Sequence, residues 1–69
     1  MAESVYKIIE LVGTSAESWE AAARAAVERA SSTLRDLRIA EVDKLDMTVD
    51  NNKVALYRAK IKLSFKYEE

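Results

Sequence analysis

From Ala55 to Tyr67 the chain alternates with a near-perfect period of two. Ala55, Tyr57, Ala59, Ile61, Leu63, Phe65 and Tyr67 are separated by Leu56, Arg58, Lys60, Lys62, Ser64 and Lys66. Successive side chains of a strand point to opposite faces, so this pattern predicts one β-strand with an apolar face and a largely basic face. At about 3.3 Å per residue the strand is roughly 43 Å long, whereas typical strands run about 5–6 residues. A strand of that length needs partners along its whole course.

The rest of the chain offers few. With 69 residues there is room for a single domain, spanning 1–69. At this size a lone core barely offsets the entropy of ordering the chain, and small proteins add disulfides, a structural metal or oligomerisation. The sequence contains no Cys and no His, which removes disulfides and a conventional zinc site. Oligomerisation remains, and a 49% hydrophobic composition supplies surface for it.

The chain has no Pro, and Gly13 is its single Gly. Val5 to Val12, rich in β-branched and aromatic residues, reads as a first strand with apolar groups on both faces. One face suits a helix and the other a second subunit. Gly13-Thr14-Ser15 reads as a turn opening a helix. Thr14 with Glu17 matches a capping box, and Ser15 is an alternative N-cap. From Ala16 to about Leu37 the sequence has high helix propensity. Its apolar stripe runs through Trp19, Ala23, Ala26, Ala30, Leu34 and Leu37, with Glu20, Arg24 and Glu28 on the other face. A stripe made mostly of Ala lets a helix approach a sheet closely but fills little volume.

Arg38 to Val49 reads as a second strand whose phase changes midway. Ala40 and Val42 share one face, while Leu45, Met47 and Val49 share the other, which predicts a bulge or strong twist near Asp43-Lys44. Asp50-Asn51-Asn52-Lys53 is a hairpin turn, because Asn tolerates the positive φ that tight hairpins require. A right-handed crossover after the first strand and a hairpin before the third give the order 1-3-2. The expected fold is therefore α+β, a β-α-β-β unit whose three-stranded antiparallel sheet wraps around one helix. Its two outer edges are open to other chains.

The Val5–Ser15 segment, VYKIIELVGTS, resembles the opening of the dodecin family. The likeness continues through the Ala-rich helix, Ala40-Glu41-Val42 and Leu63-Ser64-Phe65. It implies a hollow homododecamer of cubic symmetry acting as a binding or storage shell. Family members commonly hold paired flavins (FMN or riboflavin) between aromatic side chains at subunit interfaces. Flavin-binding members carry Trp where this chain has Ile39, and Gln after an aromatic residue where it has Arg58 after Tyr57. Many bacterial members carry Arg-Gly where it has Asp46-Met47. Ile39 cannot stack on a flavin ring as an indole does, and Asp46 puts negative charge near the phosphate. Ser18-Trp19-Glu20, Ala21-Ala22, Asp46-Met47 and Val49-Asp50 are similar to a calcium-binding subgroup.

Asp46, Thr48 and Asp50, at i, i+2 and i+4, place three oxygen-bearing side chains on one strand face. Calcium takes six to eight oxygen ligands, so symmetry-related copies would supply the remainder. The alternative is a solvated acidic hairpin end. Trp19 is expected to anchor the core or an interface, with a cofactor wall as the alternative. Arg58, Lys60, Lys62 and Lys66 form a basic row that either faces a lumen and attracts anions or pairs with Glu10, Glu41 or Asp43 across subunits.

No catalytic residues emerge. No His or Cys is available as base or nucleophile, no Gly-rich phosphate loop exists, and an enzyme is not expected. A net charge of −1 gives no basic footprint for nucleic acid. The start, Met1-Ala2-Glu3-Ser4, lacks the form of a signal peptide, and no apolar run is long enough to span a membrane. A cytoplasmic homo-oligomer taking a metal ion or small ligand is the expectation, with a purely structural oligomer as the further alternative.

Overall fold

The computed structural model describes residues 3–67, which form β1 (Tyr6–Ser15), α1 (Trp19–Ser31), β2 (Leu37–Asp50) and β3 (Lys53–Lys66). The three strands make one antiparallel sheet in the order β1-β3-β2, as the sequence pattern implied. Asn51 and Asn52 close the β2-β3 hairpin at φ 52° and 63°, the left-handed pair that a two-residue hairpin loop requires.

The first turn and the helix differ from expectation. β1 runs through Gly13-Thr14-Ser15 instead of ending there, with Gly13 opposite Ala59 and Ser15 opposite Tyr57. The Thr14–Glu17 capping box therefore does not form. Ser15 Oγ accepts from the Glu17 amide at 2.9 Å, turning the chain, and Ser18 is the N-cap, its Oγ accepting from the Ala21 amide at 3.0 Å.

At the other end α1 stops at Ser31, well short of Leu37. The Ser31 and Ser32 hydroxyls fold back onto the carbonyls of Glu28 and Arg29 at 2.8 and 2.7 Å. Such local bonds compete with helix continuation. Asp36 then takes a left-handed φ of 59°, and Leu37 opens β2. Leu34 and Leu37 still touch the core, from the connection and the strand. The buried helix stripe is Ala22, Ala26 and Ala30. Ala26 and Ala30 lie on the expected line, whereas Ala22 takes the buried place expected of Ala23, and Ala23 and Val27 flank the stripe, partly buried.

The core consists of those three alanines with Ala59, Ile61 and Leu63 of β3, and only Ile61 and Leu63 are large. Gly13 makes this packing possible. A Cβ built on it would lie 2.0 Å from the Ala22 carbonyl oxygen and 3.1 Å from the Ala26 Cβ. Glycine is required here because a helix backbone approaches the strand, rather than for any turn.

Register irregularities fall at three places on the β2-β3 ladder. One lies between Val42 and Lys44, as the phase change predicted, one between Leu37 and Ile39, and one between Thr48 and Val49. Directly opposed residues share a face. Val42, Leu45 and Met47 therefore lie on the helix side, opposite Ile61, Ala59 and Tyr57. The helix sits over β1 and β3 and leaves them uncovered, at 50%, 49% and 43% exposure. On the far face Tyr6, Ile8, Val12 and Ile39 are exposed as well. No helix among the described residues is long and apolar enough to cross a membrane.

Replacing Gly13 with Ala should drive α1 off the sheet. Overpacking of this kind costs on the order of 3 kcal/mol, and thermal or urea unfolding should show a lowered midpoint with the same far-ultraviolet signature of folded protein before the transition.

Candidate functional site

The third register irregularity organises the acidic end of the sheet. Counted back from Asp50 opposite Lys53, an unbroken hairpin would set Asp46 across from Tyr57. β3 carries one extra residue where the pairing passes from Val49–Val54 to Thr48–Leu56, so Asp46 instead faces Arg58. Thr48 Oγ1 accepts from the Leu56 amide at 3.0 Å, supporting the ladder beside the bulge.

Arg58 and Asp46 then form a two-point ion pair. Arg58 Nε donates to Asp46 Oδ1 at 2.7 Å and Nη2 donates to Oδ2 at 2.8 Å. The parallel arrangement is the strongest geometry available to a guanidinium and a carboxylate. Its hydrogen bonds with Arg58 hold the Asp46 carboxyl below the ordinary carboxylate range, desolvation opposing them and the guanidinium charge adding to them. The same contacts raise Arg58. The side chains remain 43% and 55% exposed, so the pair is reachable by ions and adds little to stability.

Trp19 ties this region to the helix. Its ring meets Tyr57 edge-on, with centroids 5.1 Å apart at 71°, and its Nε1–H donates to the Asp46 carbonyl at 3.0 Å. The anchoring role expected for Trp19 is thus met by the first residue of α1, which fixes the backbone of Asp46 while Arg58 fixes its carboxylate. A groove of about 340 Å³ lies beside it, lined by Trp19, Glu20, Ala23, Arg24, Val42 and Leu45.

The structure brings some of the expected residues together and separates others. Asp46 and Arg58 meet, but Ile39 lies opposite Ser64, about 20 Å further along β3 at 3.3 Å per residue. Asp46, Thr48 and Asp50 keep their alternating positions on β2, with Lys53 across from Asp50. Among the described residues no group of three or more His, Cys, Asp and Glu gathers closely enough to hold a metal. One chain therefore does not close a calcium cage, which needs six to eight oxygens. Of the basic row, Lys60 and Lys62 approach Glu10 of the same chain at 3.8 and 4.0 Å. Intrachain pairing thus satisfies part of what the sequence assigned to contacts across subunits.

Sequence reasoning missed the Asp46–Arg58 pair. Its only signal was opposite charge on two strands of one hairpin, and a bulge at an unremarkable Val54-Ala55 decides whether the two meet.

A family model described as Dodecin matches residues 5–68. The chain is 49% identical over 63 residues to the calcium dodecin of Mycobacterium tuberculosis, covering 91% of this chain and 89% of the relative. The crystal structure of that calcium-chelating protein, described as having a novel calcium-binding site, superposes with a TM-score of 0.83 at 48% identity, covering 94% and 93% of the two chains. The dodecin of Streptomyces coelicolor superposes with a TM-score of 0.92 at 39% identity, covering 100% and 99%.

The Asp46 carboxyl should titrate below the ordinary carboxylate range when followed by NMR, and Arg58→Gln should return it there. Because the folded value is the depressed one, the pair contributes stability above the ordinary carboxylate range. That contribution is lost as pH falls through the folded value, so the wild-type and Arg58→Gln unfolding midpoints should converge in strong acid.

Proposed function

The chain belongs to the dodecin family, and from that premise we propose that it is a non-enzymatic binding and storage subunit. Copies of it assemble into a closed homododecamer that takes a divalent cation, calcium, at the hairpin end of β2. The observation that carries this reading is the row of Asp46, Thr48 and Asp50 on one strand face, in a chain 49% identical to a relative named for calcium. Each copy offers too few oxygens, and closed symmetry multiplies them, so the site belongs between copies. Asp50 and Thr48 would contribute oxygens from each chain, and Asp46 would join when released by Arg58.

Flavin in the stacked mode is not supported by the residues present. Ile39 has no ring to offer. Arg58 is engaged with Asp46, leaving fewer donors for the polar edge of a ligand.

Calorimetric titration of chelator-treated protein with calcium should show saturable heat, and Asp50→Asn should weaken it by about tenfold, the loss of one charged ligand being worth roughly 1.4 kcal/mol or more. An absence of heat at millimolar calcium would remove the cation reading. Riboflavin fluorescence should stay unquenched with protein in excess; strong quenching would favour a flavin store instead.

A further inference from the structure

The β2-β3 hairpin outruns everything that covers it. β1 ends at Ser15, opposite Tyr57. α1 begins at Trp19, against the same Tyr57, and runs away from the turn past Gly13 toward Leu63. Thr48 to Leu56 therefore form a two-stranded arm that pairs only with itself. It reaches about 12 Å past the rest of the subunit, at 3.3 Å per residue. An isolated two-stranded hairpin is marginally stable in water. This one also carries Val49 and Val54 opposite each other on its helix side, 67% and 49% exposed. We propose that the arm docks on a second copy of the chain, across a two-fold axis, and fills the groove between α1 and β2. The inference rests on the assembly proposed above and names the surface and the segment that make it.

Three observations fit the arm to the groove. First, Leu45, Met47 and Val49 recur at period two on the helix side of β2, so one bare apolar strip runs from the groove onto the arm. A two-fold axis through Met47 lays this strip antiparallel on its copy, with Leu45 of each chain against Val49 of the other. Such a contact is self-complementary and closes on itself. Second, the groove of about 340 Å³ has Val42 and Leu45 on one side and Trp19 and Ala23 on the other, and the same axis brings the tip of the second arm to it. Third, the charges match. Glu20 lines the groove and Lys53 stands at the arm's tip. Neither makes an ion pair within its own chain among the described residues. Docking brings the two together twice, once in each direction.

The contact supplies what α1 cannot. An apolar sheet face is stable under a second layer. α1 provides that layer over β1 and β3, and the second copy's arm provides it over β2. The strip is apolar and the rim charged, the arrangement of a protein interface with a dry centre and a polar border. The opposite face of the arm, which carries Thr48 and Asp50, stays outside the contact, so docking is separable from the cation reading.

The test is sedimentation velocity of the whole chain in a dilution series, with urea added to bring dissociation into range and circular dichroism to verify folding. Lys53→Glu and Glu20→Lys are both surface changes. Each should raise the dissociation concentration about tenfold, because each sets like charges together at both ends of the contact. The double variant K53E/E20K should return it to the wild-type value, a mutual rescue that damage to the fold would not produce. Met47→Cys, in a chain with no other Cys, should be joined by a short bismaleimide into covalent dimers and nothing larger. An assembly unmoved by either charge reversal, with Met47→Cys left unlinked, would overturn the docked arm and leave the assembly standing. Weakening by both single reversals without rescue would overturn the docked arm as well. A folded wild-type monomer throughout the series would overturn both the arm and the assembly.

Discussion

A thirteen-residue helix and two fourteen-residue strands do not match in length. The helix extends about 20 Å and the strands about 46 Å, so α1 cannot cover the sheet it lies on. Close approach makes the mismatch worse. Gly13 and the Ala22-Ala26-Ala30 stripe draw the helix onto β1 and β3, where small side chains leave little to interdigitate with β2. The result is a subunit 54 Å long and 20 by 16 Å across, with Val42, Leu45 and Met47 bare on the helix side and Ile8, Val12 and Ile39 bare on the other. Both outer strands also present unpaired edges. These exposed apolar side chains and open edges are the surface that the proposed assembly would cover.

The acidic end of the sheet follows from the same long hairpin. Each bulge in the hairpin shifts the pairing register, and the shift decides which side chains meet. One extra residue in β3 turns an Asp46–Tyr57 register into Asp46–Arg58, and with it a free carboxylate into half of an ion pair. Trp19 fixes the same residue from the opposite side of the sheet, through its main chain. The end of β2 is thus held by a helix residue, a neighbouring strand residue and the Thr48 hydroxyl. The two charged side chains there, Asp46 and Arg58, are bound to each other.

Much of the fold was legible because its signals are local. The period-two run defined β3, Asn51-Asn52 defined the hairpin, and the phase change in β2 located the bulge beside Asp43. The helix limits were not legible. Thr14 with Glu17 satisfies a capping rule that β1 overrides by pairing through Ser15, and the hydroxyls that end α1 after Ser31 sit in a stretch with fair helix propensity. Pairing with β3 thus decided what Gly13 does, and a distant helix carbonyl explains why it must be Gly. For the site, sequence gave the residues but not their pairing. Asp46 and Arg58 were each singled out by comparison with a family pattern, whereas their contact depends on a register shift that no residue type announces.

The central claim is that this subunit is stable only among copies of itself. Sedimentation velocity across a dilution series tests it most directly. The account predicts one species near the mass of twelve 7.8 kDa chains, about 94 kDa, persisting until dilution causes dissociation and unfolding together. A well-folded species of 7.8 kDa, retaining its helix and sheet signals at low concentration, would contradict it.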